Sequence, residues 1–243
     1  MLRGDSGGIA IVTGCAAGIG LACTKRFLES SWTVVGIDCD EGALRRVSGE
    51  LGSRFAGVRA DVRREREMQT ASSTVAGLGG GVQTVLLNVA GVYPPSTLES
   101  ASSELYREIF STNVWGVINA TRTFAGALAG GGRVVNFASI DGLSPSPGQL
   151  LYSASKAAVI MLTRALGREL ASRGIRVNGI APGWVDTERN RAGGRMEAAL
   201  ADVPLGRAAT PEEIAECVYT LATASGFDYM TGCTLTLAGG VVV

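Results

Sequence analysis

The chain has 243 residues, 46% of them hydrophobic, which is enough for a full core without disulfide staples. Its 34 glycines are about twice the usual share of ~7% but follow no Gly-X-Y period, and 22 basic residues balance 22 acidic ones, so neither a collagen-like fibre nor a disordered chain fits. Zero net charge offers no general attraction to nucleic acid or to acidic membranes, and the absence of histidine removes His-based triads, His-rich zinc sites and the commonest general base.

No metal is expected. The five cysteines (Cys15, Cys23, Cys39, Cys217, Cys233) are odd in number and form no Cys-x-x-Cys, which suggests a reducing cytoplasm. The uncharged stretch Ser6–Thr24, downstream of Arg3, superficially resembles a signal peptide, and Val12-Thr13-Gly14-Cys15 a lipoprotein box. Its apolar part, Ile9–Val12, is too short for an export signal or a membrane span.

In chain order, seven apolar β-rich runs are expected as strands: Ile9–Val12, Thr33–Ile37, Phe55–Arg59, Val82–Leu87, Gly132–Phe137, Arg176–Ile180 and Thr234–Leu237. Most are continuous in Val, Ile or Leu, as strands covered on both faces are. Helix-compatible segments fill the gaps: Gly20–Ser30, Glu41–Gly49, Glu65–Gly77, a long one over Ser103–Ala129, another over Tyr152–Arg173, and Pro211–Thr223. The last has Thr210 as cap, proline at the first position and two glutamates in the first turn. Alternating β and α units predict an α/β fold, a doubly wound seven-stranded parallel sheet with helices on both faces. No linker interrupts the series, so residues 1–243 are expected to form a single Rossmann-like domain, with the irregular segment 183–205 as a lid.

After the first strand comes Gly14-Cys15-Ala16-Ala17-Gly18-Ile19-Gly20, then a helix. Glycines there let backbone N–H groups approach a pyrophosphate at the positive end of the helix dipole. The spacing Gly-x-x-x-Gly-x-Gly differs from the usual dinucleotide fingerprint, and a glycine turn used purely for packing also fits the loop. Asp38 closes the second strand eighteen residues after Gly20, near the offset of a carboxylate that binds ribose hydroxyls, although an ordinary turn residue suits the position equally. Its charge would repel a 2′-phosphate, and Ala17 offers no cation to compensate. NAD is therefore favoured over NADP, with Arg45 and Arg46 facing solvent.

Tyr152 and Lys156 lie at i and i+4 on one helical face, where an ammonium is expected to lower the phenol pKa and make it an acid/base without histidine. Ser139, at the end of the fifth strand, suits either a substrate hydrogen bond or a simple turn.

Taken in order, Thr13-Gly14-x-x-x-Gly18-Ile19-Gly20, Asp61-Val62, Asn88-Val89-Ala90-Gly91, Asn113, Ser139, Tyr152-x-x-x-Lys156, Arg176-Val177-Asn178 and Pro182-Gly183-Trp184-Val185-Asp186-Thr187 resemble the short-chain dehydrogenase/reductase family from the first strand to the carboxyl terminus. Val89 departs from the family's second asparagine, and Ala238 stands where an acid usually precedes Gly239-Gly240. The resemblance implies an NAD-dependent oxidoreductase that interconverts a secondary alcohol (polyol, hydroxy acid or cyclic alcohol) and its ketone. Tyr152 would be the acid/base, Lys156 would hold ribose hydroxyls, Ser139 would orient the substrate oxygen, and Asn113 would position a water leading from Lys156 to solvent. Cofactor contacts are implied for Gly14, Ala17, Gly18, Ile19, Gly20, Asp38, Asp61, Val62, Asn88, Ala90, Gly91, Val185 and Thr187.

Substrate contacts are implied for Ser139, Tyr152, Asp141, Gln149 and Trp184, with Tyr93 and Ile140 nearby. The lid arginines Arg189, Arg191 and Arg195 suit a substrate carboxylate or phosphate, but solvated loop charges are the preferred reading and they are expected to face water. The partner expected is a small alcohol or ketone, with no nucleic acid and no membrane. Apolar surfaces on the two long helices, and the ending Gly239-Gly240-Val241-Val242-Val243, suit a homotetramer. Two alternatives stand beside this reading: a 3-oxoacyl-(acyl-carrier-protein) reductase, which would favour NADPH and a basic docking patch, and a non-redox dinucleotide-binding regulator or lyase on the same fold.

Overall fold

A computed structural model of the protein describes residues 7–79 and 82–241. Seven strands, β1 (Ile9–Thr13), β2 (Thr33–Asp38), β3 (Phe55–Arg59), β4 (Thr84–Asn88), β5 (Arg133–Phe137), β6 (Arg176–Pro182) and β7 (Thr234–Leu237), form one parallel sheet in the order β3-β2-β1-β4-β5-β6-β7. Every residue of β1, β4 and β5 is buried, which is why these runs read as continuously apolar. Edge strand β3 is only half covered.

Helices α1 (Gly18–Glu29), α2 (Glu41–Glu50), α3 (Glu65–Gly77), α4 (Ser103–Phe110), α5 (Gly116–Leu128), α6 (Leu150–Leu170), α7 (Glu188–Ala192), α8 (Met196–Leu200) and α9 (Pro211–Thr223) connect the strands. Successive strand residues point to opposite faces. Ala10 and Val12 pack in a core with Phe27 of α1 and Ile214, Val218 and Leu221 of α9. Ile9 and Ile11 pack on the other face with Met68 and Val75 of α3 and Phe124 and Leu128 of α5. Among the described residues no helix is long and apolar enough to cross a membrane.

Four expectations change. The long helix over Ser103–Ala129 is divided by a π-helical turn, Ser111–Trp115, between α4 and α5. Such turns insert an extra residue into the ladder and recur at functional sites. This one coincides with Asn113, whose side chain bonds the Val92 backbone rather than facing along the helix surface. The fourth strand spans Thr84–Asn88 rather than Val82–Leu87, and α1 starts at Gly18 rather than Gly20. The lid segment is not irregular throughout: α7, capped by the Thr187 hydroxyl, and α8 occupy it. Val242 and Val243 of the expected buried tail lie outside the described residues.

The β1–β4 junction is where the sheet reverses its winding, and a crevice opens there at the carboxyl ends of the strands. On the face opposite α3 and α5, Phe27 anchors α1 against α9. It is fully buried and meets Trp32 and Tyr219 edge-on, each with centroids 5.1 Å away. Phe27→Ala is expected to cost about 3–5 kcal/mol, read as a lower urea midpoint at unchanged m-value.

Candidate active site

The glycine loop leaves β1 toward the crevice. Gly14 has φ of +69°, and a Cβ on it would meet the Ala90 backbone at 3.0 Å. A Cβ on Gly20 would sit 1.9 Å from the Gly14 carbonyl oxygen, so the first turn of α1 can lie against the loop only with glycine there. Ala17, at the N-cap, contributes no side-chain cap, and no acid occupies the first turn. An uncapped helix N-terminus presents free N–H groups and positive dipole charge, which suits a phosphate.

Asp38 is tied into this cradle. Its Oδ2 accepts from Ala16 N–H and its Oδ1 from Asp40 N–H, both at 3.0 Å. A carboxylate has about four acceptor sites, so capacity remains for ribose hydroxyls. Arg45 pairs with Glu41 at 2.7 Å, and both Arg45 and Arg46 are exposed.

Asp61 sits beyond β3 and is bound by the Arg63 guanidinium at 2.6 Å. Burial pushes its carboxyl up, but the Arg63 hydrogen bonds outweigh burial and hold it below the ordinary range. Val62 is buried against Gly116, and its carbonyl accepts from Asn119 Nδ2 at 2.7 Å.

Asn88 is also buried, and its amide donates to Asn136 Oδ1 at 2.8 Å and Thr121 Oγ1 at 3.2 Å. Its side chain therefore braces β4 against β5 and α5, while the following backbone, Ala90 included, lines the loop. Thr13 holds that backbone by accepting from Val89 and Ala90 N–H at 3.1 and 3.2 Å.

The four polar residues expected at the chemistry converge. A Cβ placed on Gly91 would lie 3.3 Å from Asn113 Oδ1 and 3.6 Å from Lys156 Nζ. Asn113 accepts from Val92 N–H at 2.8 Å and donates to Val92 O at 2.8 Å and Ser155 Oγ at 3.0 Å. Ser155 donates in turn to the Tyr152 carbonyl at 2.7 Å. Ser139, two residues beyond β5 in extended backbone, accepts from Asp141 N–H at 3.2 Å, and its hydroxyl acts by hydrogen bonding to favour the Tyr152 phenolate.

The expected lysine–phenol pairing takes a different form. Lys156 Nζ donates to the Phe137 carbonyl at 2.7 Å and stands 5.6 Å from the Tyr152 ring centroid. Burial is the largest effect on Tyr152 and pushes its hydroxyl above the ordinary value, more than offsetting the Ser139 hydrogen bond. The Tyr152 pKa is thus raised rather than lowered, because desolving the phenolate costs more than its neighbours return. Burial also lowers Lys156 to about 8, which brings an amine within reach of proton exchange near neutrality. The thiols of Cys15 and Cys23 are pushed up to about 12 by burial and are unsuited to nucleophilic work.

In segment 183–205, Thr187 approaches the glycine loop: a Cβ on Gly18 would lie 3.4 Å from Thr187 Cγ2. Val185 is buried, and its carbonyl accepts from Thr187 N–H and Asn190 Nδ2. Asp141 accepts from Ser146 Oγ at 2.5 Å.

Gln149 is fully buried, and with its amide oxygen turned toward Arg195 it accepts from both terminal nitrogens of that guanidinium at 2.9 Å. All three arginines of segment 183–205 stay solvent-exposed, as expected, while two of them also meet aromatic rings: Arg195 lies over Trp184 at 5.8 Å and Arg189 over Tyr93 at 4.6 Å. Among the described residues, Arg191 is the one of the three that pairs with a carboxylate, Asp186, at 2.5 Å. Thr13 and Ser155 are the functional candidates that the sequence did not single out, although both stand inside its motifs. The ring contacts of Arg189 and Arg195 are likewise not marked in the sequence.

The sequence profile of the family described as short chain dehydrogenase matches residues 8–198. The chain is similar to 3-oxoacyl-(acyl-carrier-protein) reductase of Vibrio harveyi, 33% identical over 239 residues and 97% of each chain. It is also similar to galactitol 2-dehydrogenase (L-tagatose-forming) of Cereibacter sphaeroides, 37% identical over 98% of this chain and 96% of that one. A crystal structure of 3-ketoacyl-(acyl-carrier-protein) reductase from Brucella melitensis, complexed with NADH, shares the fold with a TM-score of 0.90 at 29% identity, over 98% of this chain and 100% of that chain.

Gly20→Ala is expected to cost at least about tenfold in dinucleotide affinity, because the methyl group cannot coexist with the Gly14 carbonyl. Fluorescence titration with NADH measures it, and unchanged affinity would exclude the loop as the binding cradle.

Proposed function

The chain belongs to the short-chain dehydrogenase/reductase family and is an oxidoreductase, and from that premise we propose that it interconverts a small secondary alcohol and its ketone with NAD(H). The observation that supports this most is the convergence of Ser139, Tyr152, Lys156 and Asn113 beside the uncapped N-terminus of α1, at the carboxyl edge of the sheet. The residues fit a dinucleotide: the glycine loop and first turn of α1 would hold the pyrophosphate, and Asp38 the adenosine ribose. Lys156 would hold the second ribose, with Val185 and Thr187 at the nicotinamide. A bound nicotinamide supplies the hydride chemistry.

Around it, the protein handles orientation and protons. Ser139 Oγ holds the substrate oxygen. Tyr152 Oη takes the hydroxyl proton in oxidation and returns it in reduction. Because burial holds Tyr152 protonated, carbonyl reduction starts with the proton already in place, while alcohol oxidation needs that phenol first to lose it. Lys156, at about 8, is the group able to pass it on, with Asn113 at its side.

The relatives span an acyl-carrier-protein reductase and a galactitol dehydrogenase, so they do not choose the substrate. Asp38 favours NAD, since a 2′-phosphate would meet a carboxylate whose two oxygens are already oriented by backbone N–H groups. The same reading carries a cytoplasmic homotetramer: Tyr106 on α4 and Met161 on α6 stay about half exposed, on the helices expected to meet another copy.

Tyr152→Phe is expected to lower turnover by at least about a thousandfold while leaving NADH binding intact, because the ring stays and only the transferable proton goes. Absorbance at 340 nm with alcohols and ketones tests it; full turnover in the variant removes Tyr152 from the chemistry. Asp38→Asn keeps an acceptor for Ala16 N–H but drops the charge, and is expected to narrow the NAD/NADP ratio of kcat/KM about tenfold, or ~1.4 kcal/mol. A ratio that stays constant counts against NAD selection by Asp38.

A further inference from the structure

We propose that the lid carries an oxoanion subsite, in which Arg189 and Arg195 bind a carboxylate or phosphoryl group on the substrate, so that the physiological alcohol is a hydroxy acid or a phosphorylated polyol. The inference rests on the alcohol–ketone reading above and narrows its substrate class.

The starting point is where these two guanidinium groups stand. Neither has a carboxylate within ion-pair distance among the described residues, although neighbouring Arg191 pairs with Asp186 and Arg207 with Glu213. Both instead lie over aromatic rings at the mouth of the site. Arg189 Cζ is 4.6 Å from the centroid of Tyr93, whose ring is 5.8 Å from that of Tyr152. Arg195 lies over Trp184, and its charge is felt at both Tyr93 and Tyr152, opposing the rise that burial imposes on each hydroxyl.

A second observation concerns what holds Arg195. Gln149 is a fully buried polar side chain immediately before α6, the helix that carries Tyr152, and its amide oxygen accepts from both terminal nitrogens of the guanidinium at 2.9 Å. A glutamine takes up donors without neutralising the charge. Arginine has five N–H donors, so the remaining ones stay available with their direction fixed. Trp184 beneath it and Gln149 beside it hold the solvent-exposed Arg195 at the mouth, close enough for its charge to act on the Tyr152 hydroxyl. The planar fork of such a group matches a carboxylate or a phosphoryl oxygen pair.

The acid at the same mouth is Asp141, which hydrogen-bonds Ser146 and acts on Tyr152 in the opposite sense to Arg195. One mouth therefore holds an acid suited to a hydroxyl and two cations suited to an anion. That combination fits a substrate with its alcohol and its charge a few bonds apart.

The test uses the full chain with NAD⁺ and matched pairs: 3-hydroxybutyrate against its methyl ester, and sorbitol 6-phosphate against sorbitol. The anionic member of at least one pair is expected to have a kcat/KM at least about tenfold higher than its neutral counterpart, from charge-assisted hydrogen bonds. Its KM should rise with ionic strength while the neutral member's does not. Which pair responds distinguishes carboxylate from phosphate. Arg195→Met and Arg189→Met are expected to raise KM for the anion at least about tenfold, with a much smaller effect on kcat, so that the anion/neutral ratio falls toward one. Arg195→Lys keeps the charge without the fork, should restore part of the ratio, and serves if the methionine variant folds poorly.

Equal turnover of anionic and neutral members by the unaltered protein, or a ratio that both methionine variants leave intact, overturns the anion subsite while leaving the alcohol–ketone reading standing. No turnover of any alcohol or ketone with either dinucleotide overturns that reading, and the subsite with it.

Discussion

The hydrogen bond from the Lys156 ammonium to the Phe137 carbonyl, 2.7 Å long and almost wholly buried, is the contact around which the site is organised. A buried ammonium is tolerated only where an acceptor meets it, and the acceptor here is the last carbonyl of β5. That one bond fixes the register of α6 against the sheet and so places Tyr152, one turn earlier on the same face, beside Ser139 at the strand's end. The turn Ile140–Gly142 completes the arrangement by lying against the backbone of Lys156, where a Cβ on Gly142 would come within 2.7 Å.

The cofactor cradle follows from a separate constraint, the reversal of winding between β1 and β4. Parallel strands end on the same edge, so the loops leaving β1 and β4 must diverge and open a crevice between them. Thr13 ties the two loops together through Val89 and Ala90. Gly14 and Gly20 let the chain pass close enough to leave the amino end of α1 exposed. The family's polar side chain at the Val89 position is absent, yet the backbone course is held by the Thr13 hydroxyl.

Where the structure departs from expectation, burial is the cause. The phenol–amine spacing suggested a softened tyrosine, but desolvation opposes the charged form of both groups and moves the tyrosine up and the lysine down. The amine is thereby made ready for proton exchange while the phenol stays a proton donor. The lid likewise gave no sign of order in its composition. Its arginines find aromatic and amide partners from the loop after β4 and the start of α6, segments some forty to one hundred residues away in the chain.

The strands, their parallel pairing, the glycine loop and the order Asn113, Ser139, Tyr152, Lys156 were all legible in the chain itself, because burial on both faces of a sheet leaves continuous apolar runs and because chemistry demands particular residue types at close spacing. Strand and helix ends slipped by one to three residues, as ends decided by hydrogen bonds do. The π-helical turn at Asn113, the inward turn of the Asn88 side chain, the direction of the Tyr152 shift and the aromatic and amide contacts of Arg189 and Arg195 belonged to the tertiary structure alone. Each depends on which distant groups surround a side chain and how much water they exclude, and local sequence carries no record of either.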